Sequence, residues 1–297
     1  MKNVFKPLFL LATLLTYSTT LIQGSEVIAR NGELVQIKDG FTFTEGGAKD
    51  AQGNIYFTDI PNNRIHKWNP KTNKVSVFKE DSRGANGCWI DKKGNLIVCE
   101  HQGRGLYQVD KDGNRITIID AYEGKKLNSP NDLWMDKRGG IYFTDPRYGK
   151  NRDDMEQDGE HVYYLSPNRK KLTRVADDLV RPNGVLGTPD GTTLYIADHG
   201  GGNTYAYDIK SDGTLKNKRL FVDEGSDGVT LDHKGNVYLT SSAVRIFSSD
   251  GKFIEEIVTP KNPANVSFGG EENKTLFITA RDAVYSIEMK VKGASTN

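Results

Sequence analysis

From Asp50 to Ala280 one hydrophobic pattern recurs: a polar turn closing on Gly, then a short strand alternating apolar and polar, often ended by an acid. It reads Asp50-Ala-Gln-Gly53-Asn-Ile-Tyr-Phe-Thr-Asp59, then Asp91-Lys-Lys-Gly94-Asn-Leu-Ile-Val-Cys-Glu100, then Asp136-Lys-Arg-Gly139-Gly-Ile-Tyr-Phe-Thr-Asp145. Pro189–Asp198 and Asp232–Ser241 repeat it, and Glu271–Ala280 is a degenerate sixth copy. The first apolar strand positions, Ile55, Leu96, Ile141, Leu194, Val237 and Leu276, are 39 to 53 residues apart. That spacing holds about four short strands with their turns, the length of a propeller blade. The period-2 alternation of Ile55-Tyr-Phe-Thr and Lys74-Val-Ser-Val-Phe favours strands, and no long helical period appears in this region. The pattern predicts an all-β, six-bladed β-propeller.

The two ends of the repeat fit together. The sixth copy stops after a third strand near Ala283–Met289, while Glu33–Ile37 resembles an outer fourth strand such as Lys74–Phe78. Lending that N-terminal strand to the last blade closes the ring and removes an exposed sheet edge. Before it, Lys2 and Lys6 precede an apolar run, Pro7–Leu15, and a polar stretch ending near Gly24. This order is that of a secretory signal peptide over residues 1–24, leaving residues 25–297 as a propeller hydrolase domain. The expected location is periplasmic or secreted, with no membrane attachment once the signal is removed.

Composition narrows the function. Forty Lys+Arg against 39 Asp+Glu give a net charge of +1, which argues against a nucleic-acid partner held by an overall positive field. Two cysteines are too few for a disulfide scaffold or a Cys-rich zinc module. Cys88 and Cys99 flank the turn at Lys93-Gly94 symmetrically, so they are expected opposite one another on neighbouring strands, as a disulfide or as two buried thiols. A closed propeller has no free edge to pair with a second copy, and a monomer is expected.

The chemistry sits in a second register. Five residues before each turn Asp, or its equivalent, a polar residue opens the innermost strand: Glu45, Asn86, Asn131, Asn183, Asp227 and Asn265. Innermost strands line the central channel, so six carboxylate or amide groups are expected at one channel mouth. Asn, Asp and Gly also favour turns, but Glu45 does not, and six in one register point to an oxygen-only cation site. Calcium suits such a donor set; zinc, manganese and magnesium are the other candidates. Such a cation would suit hydrolysis, with Asp227 as general base or as nucleophile.

The strings Phe43-Thr-Glu45-Gly, Ser129-Pro-Asn131-Asp-Leu, Tyr142-Phe-Thr-Asp145-Pro, Arg181-Pro-Asn183-Gly and Ser226-Asp227-Gly-Val-Thr-Leu-Asp232 resemble the gluconolactonase/regucalcin family. The resemblance runs from about Phe43 to Ala280 and covers every blade. It implies Glu45, Asn183 and Asp227 as metal ligands, Asp227 doubling as the base, and Asn131 holding substrate beside the cation. Asn86 and Asn265 would line the pocket. Two departures stand out. Gly46-Gly47 follows Glu45 where Gly-Pro is usual, and Ser129 stands where regucalcin-like members carry an Arg. Arg147 is a candidate replacement for that Arg in substrate binding, and His199 a further pocket residue.

The resemblance implies a metal-dependent lactonase opening sugar-derived lactones such as gluconolactone to aldonic acids. A phosphotriesterase-like hydrolase on the same metal, and a non-catalytic propeller binding sugar or protein, are the alternatives. The longest interval between copies contains Tyr148–Glu160, either a lid over the pocket or a solvated loop. His66, His101, His161 and His233 read as surface or core residues. The Gly-x-Ser-x-Gly elbow of a serine esterase is absent from the sequence.

Overall fold

The computed structural model describes residues 24–149 and 152–295. Six four-stranded antiparallel sheets are arranged as blades, the first strand of each innermost. The innermost strands are Thr44–Lys49, Ala85–Ile90, Leu133–Met135, Pro182–Gly187, Val229–Leu231 and Asn265–Gly269. The last blade adds Thr275–Ala280 and Ala283–Glu288 and takes its outer strand from the N-terminal Val35–Asp39, with Val35 opposite Ser286 and Asp39 opposite Ala283. This is the six-bladed propeller with the expected closure. The expected signal peptide lies outside the described residues, except for Gly24. Among the described residues, no helix is long and apolar enough to cross a membrane.

Each part of the repeat has a physical task. The turn Asp accepts backbone N–H bonds two and four residues ahead: Asp50 from Gln52 (3.0 Å) and Asn54 (2.9 Å), Asp91 from Lys93 and Asn95 (both 2.8 Å). Gly53 occupies the tight position of that turn at φ +81°, where a Cβ would be strained. The apolar strand then packs on both faces, because every blade is sandwiched between two others. Ile55 and Phe57 join Phe277 and Val284 of blade six, while the intervening Tyr56 packs with Cys88 and Ile90 of blade two. Phe57 is fully buried, a contribution of about 1.5–3 kcal/mol for a side chain of its kind.

The acid that ends the strand ties down the segment leading to the innermost strand. Asp59 accepts the N–H groups of Thr42 and Phe43, Asp145 those of Asn128 and Ser129, and Asp198 those of Val180 and Arg181. These three carboxylates therefore fix the backbone just upstream of Glu45, Asn131 and Asn183.

The two cysteines depart from the expected pairing. Cys88 stands opposite Val98, not Cys99, because Asp91 closes the hairpin onto Asn95 and centres the turn on Lys93. A one-residue offset sends the two side chains to opposite faces of the sheet. Cys88 packs towards blade one and Cys99 towards blade three, and both are buried free thiols.

Candidate functional site

A cavity of about 450 Å³ opens over one end of the channel, lined by Glu45, Asn86, Asn131, Asn183 and Asp227. Thr42, Phe43, Ile60, Pro61, His101 and Tyr148 complete its wall. Local ladder geometry explains which ring residues reach it. In blades one, two and four the pairing is shifted by a bulge at the ring residue, between Glu45 and Ala48, Ala85 and Cys88, and Pro182 and Val185. A bulge re-aims the side chain beside it. Asn131 and Asp227 precede the regular ladders of their blades and are held by N–H bonds to the Thr144 and Thr240 carbonyls (2.9 and 3.0 Å).

Blade six has no bulge, and Asn265 pairs regularly with Thr279. Asn265 accordingly lines the inner channel rather than the mouth cavity, where its Nδ2 donates to Glu45 Oε2 at 3.3 Å. The ring is thus five residues at the mouth with Asn265 beneath.

The glycines that follow the ring residues let the blades close. A Cβ on Gly87 would lie 2.6 Å from the Asn131 carbonyl, and one on Gly184 would lie 2.7 Å from the Asp227 carbonyl. Each Asn-Gly pair thus presents an amide to the mouth and leaves room for the next blade's ring residue. Thr144 adds a cross-blade tie, its hydroxyl donating to the Asn183 carbonyl at 2.8 Å.

The electrostatics are those of acids crowded out of water. Glu45 is buried, with Gly46 N–H (3.2 Å) and Asn265 Nδ2 as its donors. Burial holds its carboxyl well above the usual range, and the charges of Asp227 and Asp132 push the same way. Asp227 is also raised by burial, while His199, the Asn183 hydrogen bond and Arg281 pull it down. Asn183 Nδ2 donates to Asp227 Oδ1 and to Tyr148 Oη, both at 2.6 Å.

This donor set fits a hard cation. Glu45 and Asp227 bring carboxylate oxygens to the cavity, and with Asn183's Nδ2 engaged, its side-chain oxygen is the atom left for an electrophile. Among the described residues, no three His, Cys, Asp or Glu side chains are grouped to hold a metal ion. A cation here must therefore draw on amide oxygens as well as on carboxylates.

The other sequence candidates fall as follows. Arg147 is committed to the connection above the pocket, its Nη2 paired with Asp154 and its Nη1 3.5 Å from the Asn128 carbonyl. Ser129 is buried and turned inwards, its hydroxyl donating to the Pro146 carbonyl. His199 is exposed, with its ring edge-on to Tyr148 at 6.4 Å. Next to Tyr148, Glu160 accepts the Arg147 N–H and pairs with Arg152 (3.2 Å).

Three residues escaped the sequence reading. His101, expected at the surface or in the core, lines the cavity; burial and the charge of Arg147 lower its basicity. Tyr148 contacts Asn183 directly. Asp132 is half-buried on the inner channel beneath the ring, and its carboxyl is pushed up to about 7, mainly by desolvation. Asp132 follows a ring residue where four of the other blades carry Gly and blade six carries Val266, and a charged residue in that position was the available signal.

Fold and cavity together define a six-bladed propeller with an acid–amide pocket over its channel. Residues 43–282 match the SMP-30/Gluconolactonase/LRE-like region, and the chain belongs to that family. It is 31% identical over 291 residues to the gluconolactonase of Zymomonas mobilis, covering 86% of this chain and 81% of that protein. The solved gluconolactonase of Xanthomonas campestris superposes with a TM-score of 0.82 at 32% identity, covering 88% of this chain and 91% of the other. Regucalcin from Agrobacterium tumefaciens, a calcium-binding protein, shares the fold at a TM-score of 0.75 and 19% identity, over 90% and 95% of the two chains.

Proposed function

We propose that this protein is a divalent-cation-dependent lactonase that opens sugar-derived lactones of the gluconolactone type to their hydroxy acids. The family and its gluconolactonase relatives support hydrolase activity in general. The observation that carries the finer reading is the convergence of Glu45, Asn183 and Asp227, with Asn86 and Asn131, on one cavity of about 450 Å³. That volume is in the range of small-molecule sites.

Glu45, Asn183 and Asp227 would hold the cation, calcium first among the candidates. Once bound, it would supply Lewis-acid polarisation of the lactone carbonyl. The remaining work falls to side chains of this chain. Asn183 Nδ2 fixes Asp227 Oδ1, which leaves Oδ2 to take the proton of an attacking water, or to attack the carbonyl itself. Asn131 and Asn86 offer amide donors and acceptors to the sugar hydroxyls. Phe43, Ile60 and Pro61 give the substrate an apolar wall and exclude water around the reacting carbonyl. His101, in the cavity wall, is a further polar contact, and His199 would act only from behind Tyr148.

Hydrolysis of D-glucono-δ-lactone above its spontaneous rate, compared with turnover of a phosphotriester, tests the substrate class. Asp227→Asn is expected to lower the lactone rate by about 10²–10⁴-fold. Equal activity in that variant would overturn the assignment of Asp227, and a preference for the phosphotriester would overturn the substrate class. On the same reading the enzyme is exported and monomeric, the export inferred from Lys2, Lys6 and the apolar run that follows.

A further inference from the structure

Tyr148 stands outside the acid–amide ring yet touches its centre. Its hydroxyl accepts from Asn183 Nδ2 at 2.6 Å, and the second proton of that amide goes to Asp227 Oδ1 at the same distance. Two acceptors on one NH₂ group leave the amide a single orientation, because turning it over would aim its oxygen at a carboxylate. The Tyr148 ring is itself held from several sides. The Arg181 guanidinium lies 5.2 Å from the ring centre, and the His199 ring meets it edge-on. Arg181 is in turn 3.8 Å from Glu160, which accepts the backbone N–H of Arg147, the residue before Tyr148. The connection between blade three's second and third strands therefore delivers one hydroxyl to one amide.

We propose that Tyr148 is a positioning residue for the reaction inferred above, acting through Asn183: its hydroxyl sets the Asn183 amide so that the nitrogen orients Asp227 and the oxygen is presented to the cation. The proposal rests on the lactonase reading only for its kinetic consequence. The cation-binding consequence stands apart from it. Ring and hydroxyl are separable, since Tyr148→Phe keeps the contacts with Arg181 and His199 and removes only the acceptor. Loss of one hydrogen-bond acceptor of this kind is worth roughly tenfold in an equilibrium or rate.

The test is a double-mutant cycle on the full chain with Tyr148→Phe, Asn183→Ala and both together. Calcium affinity is read by titration calorimetry, and kcat and KM are read on D-glucono-δ-lactone. The expected result is a roughly tenfold loss in calcium affinity and in kcat for Tyr148→Phe, with KM within about twofold. The double variant should match Asn183→Ala alone, because the hydroxyl has no amide left to orient. Additive losses, unchanged calcium affinity with unchanged kcat, or an effect confined to KM would each overturn the proposal. If the native chain binds calcium but hydrolyses no lactone, the functional reading fails and the calorimetric cycle alone decides Tyr148. If the native chain neither binds calcium nor turns over lactone, both fail.

Discussion

Gly184→Ala is the sharpest test of how the ring is assembled. An ideal Cβ at Gly184 would lie 2.7 Å from the Asp227 carbonyl oxygen and 2.8 Å from Val229 Cγ2, where ordinary contact begins near 3.4 Å. The innermost strands of blades four and five would have to part by roughly 0.7 Å, and backbone cannot swing aside as a flexible side chain can. The backbone of Gly184 is not in the left-handed region, so the effect is steric. Overpacking of this kind costs about 1–3 kcal/mol. For a chain of this size each kcal/mol lowers the melting temperature by about 2–4 °C.

Activity should suffer along with stability. The displaced group is the backbone of Asp227 itself, and a shift approaching 1 Å at a reacting group costs up to about 10²-fold. Gly269→Ala is the matched control, because its Cβ would meet the end of the Ile55 side chain (Cδ1, 2.5 Å) rather than a ring residue. Melting curves and turnover per folded molecule for the two variants decide the matter. Gly184→Ala is expected to lose stability and about 10–100-fold in kcat, and Gly269→Ala stability alone. A Gly184→Ala protein with native melting temperature and kcat would contradict this packing of the ring, as would equal loss of turnover in both.

Other consequences concern buried titratable groups. Burial pushes Asp132 and Asp145 up to about 7, whereas an unfolded Asp titrates near 3.9. Between those values the native state keeps protons that the unfolded state releases, so stability falls as pH rises from about 4 to about 7. The chelated protein should therefore melt at a higher temperature at pH 5 than at pH 8, and Asp132→Asn should narrow the gap; the opposite order would contradict the assignment. Burial also pushes the Cys88 thiol up to about 12 and raises that of Cys99. A thiol reagent should find no reactive cysteine in the folded protein and two after denaturation, and rapid labelling of the native chain would count against this packing.

The sequence carried the architecture because the repeat is a backbone device. The Asp-x-x-Gly turn, the two-faced apolar strand and the terminal acid each perform a local hydrogen-bonding or packing task, so they recur visibly. The ring register was legible for the same reason, down to Glu45 and Asp227. What it could not convey was the bulge at Glu45, Asn86 and Asn183, which is absent at Asn265. Counting residues from the turn treats the six ladders as identical, although a bulge changes where a side chain points without changing the count. The expected Cys88–Cys99 juxtaposition failed by a similar margin, one residue in the centre of a turn. Tyr148 and His101 were hidden for another reason: both sit in connections after second strands, outside the repeat, and reach the cavity through tertiary contacts such as the Arg181–Tyr148 stack.

In the function proposed above, Glu45, Asn183 and Asp227 hold a cation on which lactone opening depends. The most direct measurement of that dependence is the background-corrected hydrolysis of D-glucono-δ-lactone by the chain without residues 1–24, first stripped with chelator and then supplied with calcium, zinc, manganese or magnesium. Turnover that vanishes on chelation, returns with at least one cation and stays absent in Asp227→Ala is the predicted result. Turnover that survives complete chelation, or a folded protein that binds a cation and opens no lactone, would contradict it.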